Sequence, residues 1–161
     1  MNGYLSRAES SVRRFALAIV LTLAIGYSIG MRYLYITSDL TQKGIQENYI
    51  GNEEDKDAEV MKFKMPEAKV LTIMHTHILS YTFIFTILGI LLMASSLPSK
   101  LKSFLIIEPF AMVVLNFGLL YLLWDGLTWV NPLIMISGII LTLGFYLSVV
   151  LLVKELIFKK K

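Results

Sequence analysis

Cysteine is absent from this 161-residue sequence, which excludes thiolate metal sites, iron–sulfur clusters and thiol catalysis within the chain. Charge is scarce: 17% of the residues are Asp, Glu, Lys or Arg, against about 25% in a soluble domain. Much of that charge falls in one stretch between Asp39 and Lys69. Missing too are a glycine-rich phosphate loop, a His-Glu-x-x-His zinc motif, a serine nucleophile elbow and an aromatic and basic platform for nucleic acid. The chain therefore carries no self-contained enzyme motif and no signal for a nucleic-acid partner. What it has is apolar residues, 56% of the total with a mean hydropathy of +0.67. Disorder, collagen-like repeats and disulfide scaffolds do not have this composition. It is that of an integral membrane protein, whose first partner is the lipid bilayer.

Crossing a hydrocarbon core of about 30 Å takes about 20 apolar residues at 1.5 Å each. Four runs qualify, at about 15–36, 70–95, 101–124 and 127–153. The first carries Arg32 near its far end, the third contains Glu108, and the fourth opens with Asn131-Pro132, a pair suited to a helix start. Lipid accepts helices or closed barrels, and these runs lack the alternation of barrel strands. The expectation is an all-α, integral membrane four-helix bundle forming one domain over 1–161, with no internal repeat.

Orientation follows from where Lys and Arg collect. Arg7, Arg13 and Arg14 precede the first span, Lys100 and Lys102 separate the second from the third, and Lys154, Lys159, Lys160 and Lys161 follow the fourth. The 39–69 segment is the opposite, with eight acids (Asp39, Glu47, Glu53, Glu54, Asp55, Asp57, Glu59, Glu67) against five lysines (Lys43, Lys56, Lys62, Lys64, Lys69). This pattern puts both termini in the cytoplasm, makes 39–69 an external acidic loop, partly helical or mobile, and makes Asp125-Gly126 an external turn. The first span runs on as Met31-Arg32-Tyr33-Leu34-Tyr35 with no small-x-small cleavage site, so it reads as a retained anchor rather than a signal peptide. A multi-pass protein of the bacterial plasma (inner) membrane is expected.

Membrane helices associate through close backbone approach and a few hydrogen bonds, so small and hydroxyl residues mark helix contacts. The first span has them at four-residue spacing: Ala18, Thr22, Gly26 and Gly30. In the second span Thr72, His75, Leu79, Thr82, Thr86 and Gly89 follow alternating steps of three and four, a seam that predicts a neighbouring helix and turns His75 into the bundle. The fourth span offers Ser137, Gly144 and Ser148 on one face, and Gly138, Thr142 and Phe145 on the next.

The whole histidine content is His75 and His77, in Met74-His75-Thr76-His77 near the loop end of the second span. Neutral imidazole ligates haem iron, copper and zinc, and an ionisable group inside a membrane is a functional signal. A b-type haem or a transition metal is the cofactor such ligands take, with Met74 and Glu67 as secondary metal neighbours and Arg32 as counter-charge to a haem propionate. Met61 and Met65 would suit Cu(I). Geometry limits the pair, because residues i and i+2 lie about 200° apart on a helix. Both rings reach one ion only if the backbone is irregular; otherwise one histidine ligates alone, or ligates with a partner chain. The competing reading gives His75 a hydrogen bond to a neighbouring helix and puts His77 in the interfacial belt.

Glu108 lies about two turns inside the third span and is followed by Pro109, which removes a helix hydrogen bond. A carboxylate at such depth costs about 2.5 to 3.5 kcal/mol. Either it bonds to a neighbouring helix, for instance to a hydroxyl of span four, or it serves a proton relay that Asn116, offset by about 80°, would extend on the same face. Asp125 and Arg32 fall at the level of the histidines and are candidates for an ion pair. Glu67, just after Pro66, is suited to open the second helix at the positive end of its dipole.

Four spans with histidine near one surface resemble small membrane b-type cytochromes in architecture alone, since those proteins carry haem-ligating histidines on different helices and this chain has both on one. Three functional expectations follow. The first is an accessory or assembly subunit of a larger membrane complex, held to other membrane subunits or to a second copy by the small-residue stripes. The second is a haem- or metal-binding redox protein using His75 or His77. The third is a proton or ion pathway through Glu108 and Asn116.

Overall fold

The computed structural model describes residues 3–158; Lys159, Lys160 and Lys161, counted above in the basic C-terminal flank, lie outside them. The described residues form helices and turns with no strand: α1 (Tyr4–Arg7), α2 (Ser10–Ser38), α3 (Gln42–Ile50), α4 (Glu67–Ala94), α5 (Ser99–Trp124), a 3-10 turn (Thr128–Val130) and α6 (Asn131–Ile157). Helices α2, α4, α5 and the run through α6 are each long and apolar enough to cross a membrane. At 1.5 Å per residue they measure about 40 Å, which exceeds the hydrocarbon core and carries their ends into the interfacial layers.

Local sequence sets the helix boundaries. Pro66 and Pro98 precede α4 and α5 with the extended ψ that starts a helix, and Glu67 occupies the first turn of α4. The fourth helix begins later than expected and ends later. Thr128–Val130 close a 3-10 turn first, and the helix then runs past Lys154 to Ile157. Its extension holds because Glu155 accepts the Ser96 backbone N–H at 2.7 and 2.9 Å and Arg13 donates to the carbonyls of Leu156 and Ile157. Charged side chains here satisfy helix-terminal backbone groups. Lys102 does the same for α4, donating to the Ser95 carbonyl at 2.7 Å.

The 39–69 segment is partly helical, through α3, and specific side chains order the rest of it. Asp39 and Leu40 both adopt positive φ, 51° and 55°, reversing the chain so sharply that a Cβ on Gly44 would overlap the Ser38 carbonyl. Thr41 then caps α3 by accepting the Gly44 N–H at 3.0 Å. Past α3, Asn52 clamps the remaining loop: its side chain accepts from Lys62 N at 2.6 Å and donates to Val60 O at 3.0 Å. Trp124 Nε1 donates to Met65 O at 2.7 Å and Asn131 Nδ2 to Gln42 O at 2.8 Å. The acidic segment is thus a folded cap tied to the ends of α5 and α6.

Helices α5 and α6 form the centre, with α4 against α5 and α2 against α6. An aromatic column joins the outer helices to this centre. Tyr27 of α2 stacks on Phe145 of α6 at 3.9 Å between centroids, Phe85 of α4 meets the same ring edge-on at 6.2 Å, and Tyr81 adjoins both Tyr27 and Phe85. Such pairs contribute about 0.5–1.5 kcal/mol each beyond the area they bury. Tyr27 also shares a hydrogen bond of 3.0 Å with Thr142.

Candidate functional site

The second span does not turn the face its small residues predict. Tyr81, Phe85, Leu88 and Leu92 face inward, and at 3.6 residues per turn the stripe from Thr72 to Thr86 lies roughly 120° round the helix from them. His75, Thr82 and Thr86 are therefore exposed, and Gly89 alone is buried, 3.8 Å in Cβ terms from Ile106. The expectation that His75 enters the bundle is corrected: large aromatics fill the inner face and leave the histidine outside. Thr82 returns its hydroxyl proton to the Ile78 carbonyl at 2.7 Å. His75 has no hydrogen-bond or ring partner among the described residues.

Ala18, Thr22, Gly26 and Gly30 behave alike. All four are exposed, and a Cβ added at Gly26 or Gly30 would meet nothing within 4 Å. They do not make a close crossing within this chain; Ala16, Val20 and Tyr27 make the contact of α2 with the core instead.

His77 lies beside the third span. Its Nδ1 is 2.8 Å from the Ile73 carbonyl, and its ring is 5.6 Å from Phe117 and 6.1 Å from Tyr81. Donating from Nδ1 leaves Nε2 as acceptor. The α4 backbone is continuous from Glu67 to Ala94, so the irregularity that would bring His75 and His77 onto one ion is not there. Nor does a third ligand join them: among the described residues no three His, Asp or Glu side chains converge on a metal position. Glu67 accepts the Tyr121 hydroxyl at 3.0 Å, two turns from His75. Met74 packs on the core, Met61 is exposed and Met65 is buried. Arg32 places its guanidinium 5.2 Å over the Tyr35 ring, and it forms no ion pair with Asp125 among the described residues.

Among the described residues Glu108 is the carboxyl the bundle buries. It is 8% exposed, points at α6, and leaves both carboxyl oxygens without a hydrogen-bond partner. Gly144 makes room for it, since a Cβ there would come within 2.7 Å of Oε2. The expected bond to a span-four hydroxyl is not formed: Ser148 donates to the Gly144 carbonyl at 2.8 Å, and Ser137 accepts from Asn116. Asn116 also donates to the Ile134 carbonyl at 2.8 Å. Glu108 and Asn116 thus share the α6-facing side of α5 without bonding to each other.

The cap carries the remaining charge. Lys43 bridges Glu47 and Asp55 at 3.6 and 3.3 Å, and Lys62 reaches Glu47 at 3.5 Å. The hydrogen bond and charge of Asp55 raise the Lys43 ammonium above its ordinary value, and burial pushes the Tyr49 phenol up to about 12. A cleft of about 730 Å³ opens between α3 and the start of α6, floored by Asn131 and Pro132 and rimmed by Glu47, Glu53 and Glu54. The Asn131 tie and the Asn52 clamp were not foreseen from sequence; an Asn opening a helix signals a cap, not a bond to a carbonyl 89 residues away.

A family model, Aq_1264_TM, described as a transmembrane helical domain, matches residues 39–161. The chain belongs to this family. The Aq_1264_TM match takes in α3 to α6 and the cap, and it stops short of α2. No curated protein and no solved structure matches the chain.

Proposed function

We propose that this small integral membrane protein acts as an accessory or assembly subunit, docking to other membrane subunits or to a second copy through the outer face of α2. The observation that carries this reading is the open glycine face: Gly26 and Gly30 have nothing within 4 Å of an added Cβ. Glycine in a helix costs about 1 kcal/mol relative to alanine, and the return in membranes is close backbone approach to another helix. No helix of this chain collects that return. The outward His75 and Thr86 on α4 support the same reading, as polar groups that a partner helix would satisfy. The basic flanks argue for cytoplasmic termini and for the plasma membrane as the location. Gly26→Leu is expected to abolish co-purification or cysteine cross-linking of the partner while leaving the helix content unchanged. Undiminished cross-linking in that variant would remove the proposal.

Glu108 favours a second reading, a proton or ion pathway through the α5–α6 interface. Its two unpartnered oxygens are the kind of group that transient protonation or a mobile water serves. Glu108→Gln is expected to abolish proton flux in liposomes, and equal flux in the variant dismisses this reading. The redox reading has less support, because His75 and His77 gather no ligand set. A histidine-dependent Soret band in gently purified protein would restore it.

A further inference from the structure

We propose that Val60, Met61 and Phe63 of the cap are immersed in the interfacial layer of the same bilayer that α4 and α5 span, making the cap a second, non-helical membrane contact. The three side chains are 66%, 52% and 73% exposed, in a segment whose other residues are mostly charged. Their exposure is held in place by the fold. Asn52 fixes the backbone on both sides of Met61 through Val60 O and Lys62 N, and the Asn52 N–H adds a bond of 2.9 Å to Lys62 O. The lysines next to them are occupied: Lys62 is paired with Glu47, and the Lys64 ammonium lies 4.6 Å from the Trp124 ring centroid.

Depth follows from the chain's own geometry. Trp124 is the last residue of α5, a helix whose length carries its end into the interfacial layer, and its indole holds the Met65 carbonyl. Phe63 is two residues from Met65, so their Cα atoms are at most about 7 Å apart. Each interfacial layer is about 5–7 Å deep, the difference between a 30 Å core and a 40–45 Å bilayer shared between two sides. Phe63 therefore lies within reach of the layer in which tryptophan and aromatic rings are enriched. With both neighbouring lysines already engaged, the contact is apolar, and its occupant is the headgroup and acyl boundary of phospholipid rather than an anionic headgroup.

Because the chain has no cysteine, single nitroxide labels report each position cleanly. Labels at Phe63→Cys and Met61→Cys, in full-length protein in phosphatidylcholine nanodiscs, are compared with Glu54→Cys as the aqueous reference and Phe83→Cys as the lipid reference. The readout is collision with oxygen against collision with a water-soluble nickel chelate. Oxygen-favoured collision at both cap positions, between the two references, is the expected result. Values equal to those at Glu54 overturn the proposal, as does protection from both reagents, which would mean that protein covers the patch. Unchanged tryptophan emission of each cysteine variant before the nitroxide is attached checks that the cap stays folded. Loss of the α2 docking reading leaves this measurement untouched, since it is made on the chain alone.

Discussion

Gly144 and Glu108 face each other so closely that each limits the other. A methyl at position 144 would come within 2.7 Å of Oε2, so the carboxyl end must shift within a close-packed helix interface. Overpacking of this kind costs about 1–3 kcal/mol. Gly144→Ala is therefore expected to destabilise the bundle by about that much in detergent unfolding, and Glu108→Ala in the same chain to relieve most of it. A double-mutant cycle with no coupling would mean that the two side chains do not share the space the structure gives them. The spacing of Glu108 and Asn116 on one helix face was legible in the sequence. Their separate bonding was not, because each partner on α6 depends on how that helix rotates in the bundle.

The cap is the element in which sequence and structure differ most. Charge and the absence of a long apolar run marked 39–69 as lying outside the membrane, but its order comes from single side chains with long-range bonds: Asn52, Trp124, Asn131 and the Gly44 contact. Nothing periodic announces these. Tyr49 gives a way to open the cap by pH. Burial holds its phenol near 12 rather than the usual 10, so the folded cap keeps the proton that the unfolded segment gives up. Its contribution is fully present below pH 10 and is lost as pH rises through 12. Trp124, anchored on the Met65 carbonyl, reports the event once the second tryptophan is removed as Trp129→Phe in both chains compared. Its emission is expected to shift between pH 10 and 12 in the wild type, and the shift moves to higher pH in Tyr49→Phe. Identical profiles would show that another group controls the cap.

At the scale of the whole molecule, the four membrane-spanning helices and the all-α class were plain from hydropathy, since lipid leaves few ways to satisfy a backbone. Helix rotation was hidden. Small-residue stripes predicted which faces of α2 and α4 turn inward, and in this chain the aromatic column of Tyr27, Tyr81, Phe85 and Phe145 turns them outward instead. The physical reason is that small residues permit close approach without demanding it, whereas large rings gain contact wherever they meet. The same asymmetry bears on sidedness. Arg13, Lys102 and Glu155 bond to helix-terminal backbone groups at the end that carries the termini, so the basic flanks have a structural role there besides any topological one. Orientation thus needs its own test. If the positive flanks also dictate topology, a membrane-impermeant maleimide applied to intact cells labels Glu54→Cys and leaves Lys100→Cys unlabelled until the membrane is opened. The reverse pattern would assign those basic residues to helix capping alone and put the acidic cap, with its Val60–Phe63 patch, on the cytoplasmic face.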